Sequence, residues 1–224
     1  MTLPTIEQAQ AFVHGLKLIQ NIVLADLADK GAMGTITSLT AHWSAGSYSS
    51  TSNHYGLNAT WSAGEPDRGV LVQTRSIHDK GSHCWGRNTG NFGLALCAMG
   101  DGIDANGKRS VLYPKPSQVM ALAYAAACLA GMFGLDLGAQ ISKQKKASNA
   151  NSIWDTPGTI LVPVLADHAI YAKHDGYYPD RWDIGSQSDN PHQNFYKPLV
   201  DNAMAFRAWI KAGELPNRLA GWLK

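Results

Sequence analysis

The sequence predicts an α/β protein, a single mixed β-sheet flanked by helices, with an extra helix at each end. Three observations point there. Short apolar or alternating stretches at 35–43, 56–62, 69–74, 92–98 and 159–166 read as strands. Stretches with apolar residues every three or four positions, at 6–29, 117–133 and 198–211, read as helices. The two kinds alternate along the chain, the pattern of helices packed on a sheet.

The first helix places Ile6, Ala9, Val13, Leu16, Ile19, Val23 and Leu27 on one face. Thr5 is its N-cap candidate, Gln8 completes a capping box, and Gly31 and Gly34 stop it. Its polar face is not notably basic, so packing against the main body is expected rather than a membrane or wall surface. Gly64-Glu65-Pro66-Asp67 marks a turn between the second and third strands. The fourth strand is almost wholly apolar, as a central strand covered on both faces should be. Residues 100–116 read as a loop. Within it Asp104-Ala105-Asn106-Gly107 echoes a calcium loop, but Gly102 and Tyr113 stand where acidic ligands belong.

Ser117 is expected to cap the second helix, which runs to about Phe133 and is rich in Ala, Leu and Met on every side, so it should be buried against the sheet. Lys143 to Ser152 reads as a solvated basic loop. Pro163 in the 159–166 strand argues for an edge or a bulge. Residues 174–195 look irregular, and the final helix carries Leu199, Ala203, Phe206, Trp209 and Ile210 at helical spacing.

Composition narrows the function classes. Net charge is +2, and residues 1–142 carry nine basic and nine acidic side chains, the remainder ten and eight. That balance gives no electrostatic footprint for nucleic acid. Three cysteines, Cys84, Cys97 and Cys128, form no C-x-x-C pair and suggest free thiols made in a reducing compartment. The start MTLPTIEQAQ lacks the pattern of a secretory signal, and Val119 to Leu135 reads as a core helix rather than a membrane span. A monomer is expected. From Lys197 onward there are five basic and two acidic residues, leaving room for a weak envelope contact, although covering a sheet edge is the plainer role.

Of eight histidines, His42 and His168 stand out because each closes an apolar strand, where a sheet presents side chains to a shared crevice. There is no H-E-x-x-H, no G-x-S-x-G and no G-x-G-x-x-G. Gly102 to Lys108 spells G-x-x-x-x-G-K, but Arg109 follows instead of Ser or Thr and no helix comes directly after.

The order AHWSAG, HYGLNATW, KGSHCWGRNTGNFGLALCAMGDG and DHAIYAKHDGYYPDRWDIG resembles the type-2 N-acetylmuramoyl-L-alanine amidases, a family that includes phage endolysins and peptidoglycan recognition proteins. The likeness covers roughly residues 34 to 186, and the block Ser82 to Gly93 is its most specific piece. It implies a zinc amidase domain at 34–190; outside it, the helical patterns predict a packed helix at 1–33 and a helical extension at 191–224. It also implies that His42, His168 and Asp183 hold Zn2+, an N/O ligand set with a position left for water or substrate. Tyr55 matches a tyrosine that steadies the oxyanion, the alternative being an ordinary strand-start tyrosine. Arg181 stands where many relatives have lysine or threonine; it would steady charge without shuttling a proton, or simply pair with an Asp at the surface. His83 and Asn88 match groove-lining positions that contact substrate, or else are structural. Trp43 would line the same groove or sit in the core.

Three departures stand out. Ala95 replaces a catalytic Glu of some relatives, which leaves the general base open. Ile170 replaces a Glu that would orient His168. His174 is a rival ligand. The implied reaction is zinc-dependent cleavage of peptidoglycan between N-acetylmuramic acid and L-alanine, by a phage or prophage lysin made in the host cytoplasm and acting on the wall after release or within a virion. The alternatives are a non-catalytic peptidoglycan-binding module of the same fold and a zinc peptidase cutting within the stem peptide.

Overall fold

The computed structural model describes residues 34–61, 69–75, 79–84, 86–103, 109–146, 155–175, 184 and 194–212. The expected helix at 6–29, the tail beyond 212, and Arg181 and Asp183 lie outside the described residues.

Five strands form the main sheet: β1 (Ser38–Trp43), β2 (Leu57–Trp61), β3 (Gly69–Gln73), β4 (Asn91–Leu96) and β9 (Leu165–Asp167), in the order β3-β2-β4-β1-β9. β4 lies parallel to β1 and to β2, β9 lies parallel to β1, and β3 runs antiparallel to β2. The sheet is therefore mixed, with the apolar β4 at its centre and every residue of it buried. Side chains alternate across a strand, so Leu39, Ala41 and Trp43 of β1 face one way and Ser38, Thr40 and His42 the other.

The Leu39 side carries the main core. Helix α1 (Pro116–Phe133) packs there against β2, β3 and β4. Its start differs from expectation: Lys115 is the N-cap and Pro116 the first helical residue, a position that needs no N–H. Gln118 closes the cap by accepting from Lys115 N at 2.8 Å, while its Nε2 donates to Ala59 O and Cys97 O at 2.9 and 3.0 Å. One side chain thus ties the helix start to the middle of β2 and the end of β4. Gly134, at φ +65°, ends α1 in the left-handed conformation that glycine adopts freely.

On the opposite side, helix α2 (His168–Asp175) contacts β1 and β9, and Cys84, Ile160, Val162, Ala166 and Tyr171 make a smaller core. Helix α3 (Tyr196–Lys211) lies on α1, with Leu199, Ala203 and Phe206 buried in the main core. The C-terminal helical region therefore shares the core of the sheet.

Two stretches expected as loops are strands. Residues 100–116 contain β5 (Met99–Ile103) and β6 (Arg109–Leu112), an antiparallel ribbon. The basic stretch from Lys143 overlaps β7 (Gln140–Lys146), which pairs with β8 (Asp155–Pro163). A two-stranded ribbon leaves much of its surface in water, so polar and basic residues suit it. The expected strand at 159–166 is two strands in different sheets. β8 ends at Pro163, and Val164 turns the chain, donating to Ala139 O at 3.1 Å and accepting from Leu39 N at 2.8 Å, before β9 begins.

Cys84, Cys97 and Cys128 are free thiols, as their spacing suggested. Burial pushes the Cys97 thiol up to about 12 and the Cys128 thiol up to about 11, which keeps both protonated. Among the described residues no helix is long and apolar enough to cross a membrane.

Candidate active site

His42 is the fifth residue of β1, pointing away from the main core, with 1% of its surface exposed. Its register partner on β4 is Ala95, where the resemblance would have allowed a glutamate. The small residues Gly93 and Ala95 leave a hollow on this face, and His83 fills part of it. A Cβ at position 93 would stand 2.9 Å from His83 Cγ, so the glycine makes room for the imidazole. Gly93→Ala should therefore displace His83 and cost about 1–3 kcal/mol by overpacking, read as a lowered midpoint in urea unfolding.

Both ring nitrogens of His83 are engaged. Nδ1 lies 3.0 Å from His42 Nε2, and Nε2 lies 2.8 Å from Asn91 O. Asn88 fixes the backbone beneath it, its Oδ1 accepting from His83 N at 3.0 Å and Cys84 N at 2.7 Å. Burial is the larger influence on His83 and drives its pKa down to about 4, against a smaller raising effect of the Asn91 bond.

The pH consequence has a definite sign. The unfolded chain takes up this proton near 6.5, whereas the folded chain resists until about 4. Stability from this source is complete above 6.5 and falls as pH drops toward 4, by roughly 3 kcal/mol in all. Denaturant unfolding of wild type and His83→Gln between pH 7 and 4 should show that decline reduced in the variant.

His168 opens α2 directly after β9, and Asp167 holds it there. Asp167 is fully buried, and its Oδ1 accepts from Ile170 N at 2.9 Å, the bond of a helix N-cap. Tyr196, whose hydroxyl donates to Leu165 O at 2.7 Å, closes the other side. Burial first, and then the nearby Asp167 carboxylate, hold that phenol strongly protonated. Asp167 thus fixes the backbone that carries His168. An Asp at the end of an apolar strand and the start of a helix is a cap signal readable in sequence.

The rings of His42 and His168 lie 5.0 Å apart between centroids, at 69°. Tyr55 stands on another side of His42, with centroids 4.9 Å apart. Its hydroxyl donates to Trp43 O at 3.1 Å. The loop that carries it is pinned by Gly56 N donating to Gly93 O at 2.9 Å and by Thr74 Oγ1 donating to Tyr55 O at 2.8 Å. Asn58 Nδ2 donates in turn to Thr74 Oγ1 at 2.8 Å.

His42, His83, His168 and Tyr55 thus come together from four separate segments. Among the described residues no three His, Cys, Asp or Glu side chains form a metal-holding group. His42 and His168 supply two neighbouring nitrogen donors of the kind zinc takes; a zinc site here would need a third donor from outside the described residues. Ile184, which follows Asp183, is fully buried in the main core with φ +46°, and its carbonyl accepts from Phe195 N at 2.8 Å. The Phe195 ring packs edge-on to Trp43, centroids 5.7 Å apart.

No family model matches the chain, and no curated protein matches it. Among solved structures, the N-acetylmuramyl-L-alanine amidase AmiD from E. coli, in complex with anhydro-N-acetylmuramic acid-L-Ala-D-gamma-Glu-L-Lys, is similar at a TM-score of 0.36 and 16% identity, over 49% of this chain and 48% of that one. The chain therefore matches about half the length of that structure.

Two further sequence candidates have definite places in the fold. Trp43 is 7% exposed and its indole belongs to the main core, on the side of the sheet opposite His42; only its carbonyl reaches Tyr55. His174, the rival ligand, is exposed on the last turn of α2, six residues and roughly 9 Å along the helix from His168.

Proposed function

We propose that this chain is a zinc-dependent peptidoglycan amidase that hydrolyses the bond between N-acetylmuramic acid and L-alanine, and that it serves as a phage or prophage lysin. One observation carries the reading: the imidazoles of His42 and His168, far apart in sequence, lie side by side with Tyr55 against the first of them. The resemblance of the four sequence blocks supplies the reaction class. Asp183 is the third ligand in this proposal. That assignment rests on the resemblance of the block DHAIYAKHDGYYPDRWDIG.

Zinc at such a site lowers the pKa of a water and polarises a carbonyl oxygen. The remaining work falls to the chain. His42 and His168 are held in place by β1 and by the Asp167-capped start of α2, so their geometry is set before substrate arrives. Tyr55 offers one hydroxyl proton, given now to Trp43 O, which in the reaction turns to the oxyanion developing at the scissile carbonyl. Exchanging one neutral acceptor for a charged one favours the transition state over the ground state. Arg181 adds fixed positive charge to the same groove in this reading.

The test is digestion of purified sacculi, with chelator and after zinc is restored, followed by mass spectrometry. The expected products are stem peptides beginning with free L-Ala and glycan bearing unsubstituted muramic acid, formed only with metal. Cuts inside the stem peptide would indicate a peptidase instead, and tight binding without product a recognition module.

A further inference from the structure

We propose that His83 is a positioning residue that fixes the tautomer of His42 and so makes Nδ1 the metal-facing nitrogen, an inference that rests on the zinc reading above. A main-chain carbonyl only accepts, so at 2.8 Å from Asn91 O the His83 Nε2 carries the ring proton. His83 Nδ1 then carries a lone pair and accepts. The hydrogen in the 3.0 Å contact between the two rings therefore belongs to His42 Nε2. A neutral His42 with its proton on Nε2 has its lone pair on Nδ1. In the other tautomer two lone pairs would face each other across 3.0 Å, and an N–H would point at the cation.

Every part of this relay is held. Asn91 lies in β4, paired with Ser38, and Thr40 Oγ1 donates to its Oδ1 at 2.8 Å. Gly93 gives the His83 ring its space, and Asn88 fixes its backbone. With both nitrogens engaged by protein and 6% of its surface exposed, His83 is built to orient His42 rather than to grip substrate, one of the two roles the sequence left open. Partners of this kind, behind a ligating imidazole, set which nitrogen binds and how firmly.

The test begins with the metal-free wild type, labelled with 15N-histidine. Long-range proton–nitrogen correlation should show His42 protonated on Nε2 and bare on Nδ1. His83→Phe keeps the ring volume and removes the acceptor. It should mix the His42 tautomers and raise the zinc dissociation constant about 10–100-fold, measured by competition with a chromophoric chelator. His83→Gln, which offers an amide oxygen to His42 and an amide N–H to Asn91 O, should restore most of that affinity. A wild-type His42 protonated on Nδ1 would overturn the proposal, as would a folded His83→Phe protein with unchanged zinc affinity. If the Phe variant does not fold, the wild-type spectrum and the Gln variant decide. A wild type that takes up no zinc would defeat the metal reading by itself, while the metal-free spectrum still decides whether His83 sets the tautomer.

Discussion

His168→Ala should lower the release of stem peptides from sacculi on the order of 10³-fold or more, with the melting temperature little changed. The metal's share of transition-state stabilisation is several kcal/mol, and each ~1.4 kcal/mol is tenfold in rate. His168 is buried, 8% exposed, on a helix start that Asp167 caps whatever stands at 168. His42→Ala should abolish activity equally but also destabilise. It removes the partner of the buried His83 Nδ1, and an orphaned buried acceptor costs about 1–3 kcal/mol. Product release and thermal melting, measured on both variants, separate the two effects. An active His168→Ala protein would contradict the assignment of that residue.

Phe206→Ala should cost about 3–5 kcal/mol, a fall in Tm of roughly 10 °C for a chain of this size. Phe206 is 1% exposed, and its ring meets Tyr124 of α1 and Trp209 of its own helix edge-on, with centroids 5.8 and 5.5 Å apart. Differential scanning calorimetry checks the loss. A shift of only a degree or two would mean that α3 is an accessory, and an envelope-binding role for the C-terminal region would then gain ground. The proposed zinc ligands His42 and His168 lie on the other side of the sheet, so the rate per folded molecule should hold.

The legible parts of this fold were those whose period or apolar content was set by burial. β4 is covered on both faces and reads as a continuous apolar run. The helix at 196–211 repeats Leu199, Ala203 and Phe206 because one stripe of it faces the core. β7 was illegible for the converse reason, whereas its partner β8, with Ile160 and Val162 buried, was legible in part. Stretches such as Gln140–Lys146 face water over much of their length, and what makes them strands is a partner elsewhere in the chain.

The site divides in the same way. His42 and His168 stood out because strand ends carry them, and the Ser82–Gly93 block stood out as a motif. The relay behind His42 did not, because its last acceptor is the carbonyl of Asn91, which any residue type supplies. Gly93 was visible as a glycine, but only the 2.9 Å approach of His83 shows why a Cβ is excluded.

The most direct test of the zinc centre is metal stoichiometry by elemental mass spectrometry, on folded wild type and on His42→Ala, His168→Ala and Asp183→Ala, each dialysed against dilute zinc. One zinc per wild-type chain, with little retained by each variant, is the predicted result. A wild-type chain without zinc, or variants that keep it at full occupancy, would contradict the account.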